Sequence, residues 1–248
     1  MSCSASKRRQ TQTAGSRREL SKRLYPKRSD RTYWVLTCLR REMERVVDEY
    51  VCRCKGARLV DYGCGDMPYR PLFMPYVERY VGCDLPENRL ADMRLKDGRW
   101  LPIEAAHANI VLSSQVLEHV PSPKEYLAEC HRVLADQGLL ILTTHGVWKY
   151  HPHPRDLWRW TAEGLRSVLQ EAGFDLLQLR GILGPASTGI QLWQDATLLR
   201  IHRWFKKPFT WVMQSWIRRA DLACSNSLRD ADASVYFVVA RKLTPQDD

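Results

Sequence analysis

One stretch constrains this chain more than any other: Arg58-Leu59-Val60-Asp61-Tyr62-Gly63-Cys64-Gly65-Asp66. A short apolar run ends in an acid, and two glycines follow one residue apart. This pattern predicts a buried strand that breaks into a tight turn. Glycine serves where backbone takes positive φ or approaches a ligand closely. Open parallel sheets bind ligands beyond the carboxyl ends of their strands. The turn therefore predicts a nucleotide-type cofactor over Gly63 and Gly65. A dinucleotide fingerprint would place a third glycine at position 68, where this chain has Pro68. Asp61 and Asp66 flank the turn. Two acids suit a ligand carrying an ammonium and a sulfonium better than a pyrophosphate.

Asp61, Gly63 and Gly65 form a D-x-G-x-G pattern that resembles motif I of the class I S-adenosylmethionine (SAM)-dependent methyltransferases. Further residues extend the resemblance in chain order. Arg79 to Leu85 reads as a second strand ending in Asp84, which lies 19 residues after Gly65. An acid about 20 residues past the glycines accepts hydrogen bonds from ribose hydroxyls. Asp97-Gly98-Arg99-Trp100-Leu101-Pro102 resembles the family's D-x-x-x-L-P segment, whose acid faces the adenine amino group. Trp100 itself reads as a core residue. The run Val111-Leu112-Ser113-Ser114-Gln115-Val116-Leu117-Glu118-His119-Val120 is similar to the segment after strand four in the type 11 methyltransferase group. Asn109 stands where that group usually has Asp. His151-Pro152-His153-Pro154-Arg155-Asp156, with Arg159 and Thr161, resembles the same group just after strand five, where acceptor substrates sit.

The resemblance implies an α/β, Rossmann-like, seven-stranded and mostly parallel sheet with helices on both faces. It implies SAM as cofactor, with Asp61, Gly63, Cys64, Gly65, Asp84, Leu85, Asp97, Gly98, Ser114 and Gln115 as the cofactor set. It also implies in-line methyl transfer. For that chemistry His151 or His153 is the candidate base, Asp156 would orient it, and Arg159 would hold an anionic group. The plainer alternative is that Asp156 and Arg159 pair and pin their loop. Glu118-His119 resembles the end of the metal-holding E-x-x-E-H motif of ubiquinone-pathway O-methyltransferases. Gln115 replaces the first acid of that motif, so no metal is expected.

The net charge of +10 is concentrated at the start, where residues 1–30 hold nine Lys/Arg against Glu19 and Asp30. Residues 1–29 read as a basic, disordered tail, and 30–248 as the methyltransferase domain. Nucleic-acid contact through the tail is the less favoured reading. The eight cysteines lack paired zinc spacing and read as reduced packing residues. Asp30 is expected to cap a helix carrying Tyr33, Trp34, Leu39, Met43 and Val46. No apolar run has transmembrane length, and the start lacks a secretory core. A cytoplasmic protein is expected, peripheral to the inner face of the membrane.

Residues 182–233 interrupt the pattern before the last strand, Ser234 to Arg241, as a helical insertion or lid. Within 198–219, Leu198, Trp204, Phe205, Trp211 and Trp216 alternate with Arg200, Arg203, Lys206, Lys207, Arg218 and Arg219. Apolar faces edged with basic residues fit an interfacial helix pair. Pro208 is expected to split it. Three functions remain open on sequence. The first is O-methylation of a glycan, glycolipid or other envelope precursor. The second is methylation of a small quinone or natural product. The third is a non-catalytic module that binds RNA or a protein partner.

Overall fold

In the computed structural model, residues 22–54, 56–152 and 155–243 are described. Seven strands form one sheet: β1 (Ala57–Tyr62), β2 (Val77–Asp84), β3 (Met93–Arg94), β4 (Ala108–Ser114), β5 (Leu134–His145), β6 (Phe174–Ile182) and β7 (Val235–Lys242). Their order is β3-β2-β1-β4-β5-β7-β6, with β7 antiparallel to both neighbours and the other pairs parallel. This is the Rossmann-like methyltransferase fold that the motifs imply.

Successive strand residues point to opposite faces, and both faces are covered, so the central strands are apolar nearly throughout. Leu59, Ile110, Leu112, Ile141 and Phe237 face one core, completed by Trp34, Leu39, Met43 and Val46 of α1 (Tyr33–Glu49). Val60, Val111, Leu140, Leu142 and Val238 face the other. There Leu127 of α3 (Pro123–Val133) and Leu165 and Leu169 of α4 (Ala162–Glu171) close the layer. A short α2 (Arg70–Phe73) follows the glycine turn.

Several boundaries differ from expectation. Asp30 does not cap α1; its carboxylate accepts from Lys27 N at 2.7 Å, closing the preceding turn, and Thr32 precedes the helix. Leu24, placed by sequence in the tail, is buried in the α1 core. The insertion holds three helices: α5 (Pro185–Leu198), α6 (Arg203–Leu222) and α7 (Asn226–Ala231). Pro208 lies inside α6, and the break falls before it, between Leu198 and Arg203. The carbonyl four residues before Pro208 belongs to exposed Trp204, where water can satisfy it.

The helix pair is attached to α1 by polar side chains. Gln191, Gln194 and Gln214 each donate an amide to the Arg31 carbonyl, at 2.9, 2.8 and 2.7 Å. Buried Asp221 accepts from Trp34 Nε1 at 2.8 Å. Thr210, Met213, Gln214, Ile217 and Asp221 form the buried face of α6.

Candidate cofactor and acceptor site

The sheet reverses its winding between β1 and β4, and the turns after these strands flank a crevice. A cavity of about 560 Å³ opens there. It is lined by Gly63 and Gly65, by Asp84 and Leu85 at the end of β2, by Gly98 to Trp100, and, after β4, by Gln115, Val116 and His119 to Ser122. A smaller recess of about 100 Å³, lined by Asp61, Cys64, Asp66, Tyr69 and Ser114, also touches both glycines.

The two glycines meet different constraints. Gly63 has φ +78°, and a Cβ there would lie 2.6 Å from Val116 Cγ2, so no side chain fits. Gly65 has φ +53° and nothing within 4 Å of an added Cβ. Because Gly65 lines both spaces, a side chain on it would project toward where a ligand sits. Asp84 ties the loops together. Its Oδ2 accepts from Gly65 N at 2.8 Å and Asn88 Nδ2 at 2.6 Å, and its Oδ1 accepts from Leu85 N at 2.8 Å. A carboxylate offers about four acceptor directions, so capacity for a ribose hydroxyl remains.

Asp61 is buried and accepts from Tyr80 Oη at 2.5 Å. Burial pushes its pKa up to about 7, against the lowering effect of the Tyr80 hydrogen bond. Arg23, from the segment before α1, lines both spaces and lowers the same carboxyl through its charge. The donor set therefore fits a ligand with ribose hydroxyls, a cationic group and a carboxylate. Among the described residues, the backbone N–H groups of Gly63 and Cys64 are taken by the Cys83 carbonyl and that of Gly65 by Asp84 Oδ2, so the turn does not offer them to a pyrophosphate.

Nine of the ten residues of the expected cofactor set line one space or the other. Asp97 is the exception. It sits with φ +50° at the head of a tight turn closed by the Lys96–Trp100 bridge, and its side chain is exposed. Gly98 and Arg99 of that turn supply the lining. Trp100, expected in the core, is 39% exposed at the cavity wall. Sequence reasoning missed Arg23, Tyr62 and Tyr126. Tyr62 and Tyr126 stack with centroids 4.3 Å apart under the cavity. Their positions offered no local signal beyond ordinary core spacing.

The segment after β5 is differently built. Arg159 clasps Asp156 through both terminal nitrogens, at 2.5 and 2.6 Å, and bonds the carbonyls of Trp148, Lys149 and Trp158. The Arg159 hydrogen bonds hold the Asp156 carboxyl well below the usual carboxylate range. Asp156 also accepts from His151 N at 2.9 Å. In this geometry Arg159 is spent on its own loop, so the plainer reading of that pair fits the contacts. His151 does not line the cavity; His119 does, with its ring 5.0 Å from that of His151 and its Nδ1 against the Arg155 carbonyl. Burial, then the charge of nearby His145, pushes His151 below the ordinary histidine range. His153 lies outside the described residues.

A methyltransferase-domain family model matches residues 37–179. The chain belongs to that family, and SAM is its cofactor. A protein of Mycolicibacterium smegmatis named a probable SAM-dependent methyltransferase is 26% identical over 182 residues, 66% of this chain and 68% of its own length. One of Mycobacterium tuberculosis with a similar name is 27% identical over 62% of this chain and 60% of its own length. A ubiquinone biosynthesis O-methyltransferase of Roseobacter denitrificans is 25% identical over 54% of this chain and 66% of its own length. Among solved structures, the cyclase SpnF superposes with a TM-score of 0.55 at 18% identity, covering 82% of this chain and 80% of that one. The phosphoethanolamine N-methyltransferase 2 of Haemonchus contortus, solved with SAM, gives 0.51 at 15% identity, covering 82% of this chain and 53% of that one. One fold thus serves unlike chemistries, and the acceptor has to be argued from the site.

Proposed function

We propose that this SAM-dependent methyltransferase methylates a hydroxyl of a lipid-linked or glycan-bearing envelope precursor while resting on an anionic membrane surface. When bound, SAM supplies a methyl group already activated on sulfur, so the chain has only to bind, align and manage a proton. Asp84 and Leu85 would hold the ribose, the Gly98–Trp100 turn and Val116 the adenine, and Asp61, Asp66 and Arg23 the amino-acid end. His119, rather than His151, is the histidine at the cavity wall and would receive the acceptor's proton. Asp156 and Arg159 would position that wall.

The observation that carries the acceptor class is the outward face of the insertion. Trp193, Trp204, Trp211 and Trp216 are 57, 74, 51 and 58% exposed, and Phe205 67%. Arg203, Lys206, Lys207, Arg218 and Arg219 are exposed beside them. Polar Gln and Asp groups take the inner face, so the helix pair turns its aromatics outward. Exposed apolar patches of this kind mark interaction surfaces, and aromatic rings among basic residues match an anionic interface. Among the described residues no helix is long and apolar enough to cross a membrane.

Co-sedimentation with phosphatidylglycerol vesicles tests the reading. The chain should pellet with them and remain free with phosphatidylcholine, and Trp204→Ala/Trp211→Ala/Trp216→Ala should release it. A wild-type chain that ignores anionic vesicles removes the case for a lipid-linked acceptor. The resemblance to ubiquinone O-methyltransferases supports a second reading, a quinone-type phenol. Transfer of labelled methyl into fractionated lipid, glycan and small-molecule pools separates the two.

A further inference from the structure

Two stretches of the acceptor wall are laced together. The Glu118 carbonyl accepts from Leu157 N at 2.9 Å and from Trp158 N at 3.2 Å, and Trp158 Nε1 donates to the Val120 carbonyl at 2.9 Å. The His119 ring closes the seam on the Arg155 carbonyl. Residues 155–158 are therefore held along 118–120 by four hydrogen bonds. The Arg155 side chain takes no part in them. It is exposed, and Arg155 lines the cavity beside His119 and Val120.

The other charged groups of the wall are already engaged. Arg99 Nη1 lies 3.4 Å from Glu125 Oε2, and Asp84 gathers Gly65 N, Leu85 N and Asn88. Arg23 lends its charge to Asp61. Arg159, to which the sequence pattern assigns an anion, is spent on Asp156 and three carbonyls. Among the described residues the Arg155 guanidinium has no hydrogen-bond or ion-pair partner. A guanidinium presents its donors in a planar fork that matches the oxygens of a phosphate. An uncompensated cation in a cleft attracts an anionic ligand to it. The same loop is apolar at its surface, where Tyr150, Leu157 and Trp158 are exposed. Lys149 joins it to α5 through a 2.9 Å ion pair with buried Asp195, two residues after exposed Trp193. The loop thus carries the aromatic and basic character of the insertion up to the cavity.

We propose that Arg155 is a specificity residue that holds a phosphate of the acceptor beside His119, while Leu157 and Trp158 meet the lipid attached to it. This rests on the reading of a lipid-linked acceptor and adds the acceptor's charge and the residue that recognises it. The anion role passes from Arg159 to Arg155 on the same loop. The Arg155 carbonyl is bonded to His119, so guanidinium and imidazole share one anchor. The phosphate and the hydroxyl to be methylated must then lie within one side chain's reach of each other. An acceptor without a phosphate, or with one far from its hydroxyl, gains nothing from Arg155.

The experiment incubates the full chain with labelled SAM and a detergent-solubilised membrane extract of the host. Products are separated into neutral lipid, lipid retained by anion exchange, and water-soluble pools. Label should enter the retained lipid, and mass spectrometry of the labelled species should show phosphorus. Arg155→Gln keeps the carbonyl that His119 bonds, so circular dichroism should show it folded. It should lower transfer into that pool by about 10- to 100-fold, the range for a hydrogen bond to a charged group. Arg155→Lys, which keeps the charge without the fork, should recover part of the loss. SAM affinity should stay within about twofold in both variants. A folded Arg155→Gln chain that labels the retained lipid as wild type does overturns the proposal and leaves the lipid-linked reading standing. Label confined to neutral lipid, or a labelled product without phosphorus, does the same. Label confined to the water-soluble pool overturns the proposal and the lipid-linked reading together.

Discussion

The two ends of the cavity are built on different principles. At the cofactor end, backbone does the work: two positive-φ glycines, three short turns and one carboxylate that gathers two backbone N–H groups and an amide. At the acceptor end, side chains knot a loop together, with Arg159 across Asp156 three residues before it and Glu118 against His145 from β5. Backbone demands can be met by few residue types, so they leave a local signature. Side-chain knots require only that partners meet in space, and many pairs satisfy that.

The contrast can be broken at either end. The largest effect is expected from Asp84→Ala, which removes the acceptor for Gly65 N, Leu85 N and Asn88. Calorimetry should show SAM affinity lowered on the order of 100-fold, and unchanged affinity would separate Asp84 from the cofactor. Next comes the pH behaviour of Asp61. Its folded pKa, about 7, is raised above the ordinary 3.8. The stability contributed by the neutral carboxyl is therefore fully present below about pH 3.8 and lost as pH rises through about 7. Relative to Asp61→Asn, the wild type should lose on the order of 1–4 kcal/mol across that window. Denaturant melts at several pH values measure this, and parallel curves for the two chains would contradict it.

Arg159→Lys sharpens the comparison from the other side. A lysine cannot reproduce the two-pronged clasp on Asp156. Methyl transfer should fall about tenfold while SAM affinity stays within about twofold, as expected for sites that share no partner. A matching loss of cofactor affinity would show that the two ends are one unit. The smallest effect is expected at Asp97→Ala, whose exposed side chain lies off the cavity lining. SAM affinity should change by less than about threefold. A large loss would return Asp97 to the adenine role that the sequence pattern suggests.

Legibility followed the same division. The first two strands, the glycine turn and the strand-end position of Asp84 were readable because a buried parallel strand and a positive-φ turn each restrict composition over a few consecutive residues. Asp30 and Pro208 misled because a favoured residue type marks a tendency, and tertiary contacts chose the neighbouring position. Arg23 was hidden within a basic run where every arginine reads alike. The pairing of Glu118 with His145 spans a strand and a helix, and nothing in either neighbourhood announces the other.

Arg23 has a practical consequence. The same residue borders the ligand space and offers a tryptic bond in an exposed position ahead of buried Leu24. Occupancy by SAM should therefore slow tryptic cleavage after Lys22 and Arg23, so the chain carries a built-in footprint of its loaded state, readable by mass spectrometry without any label.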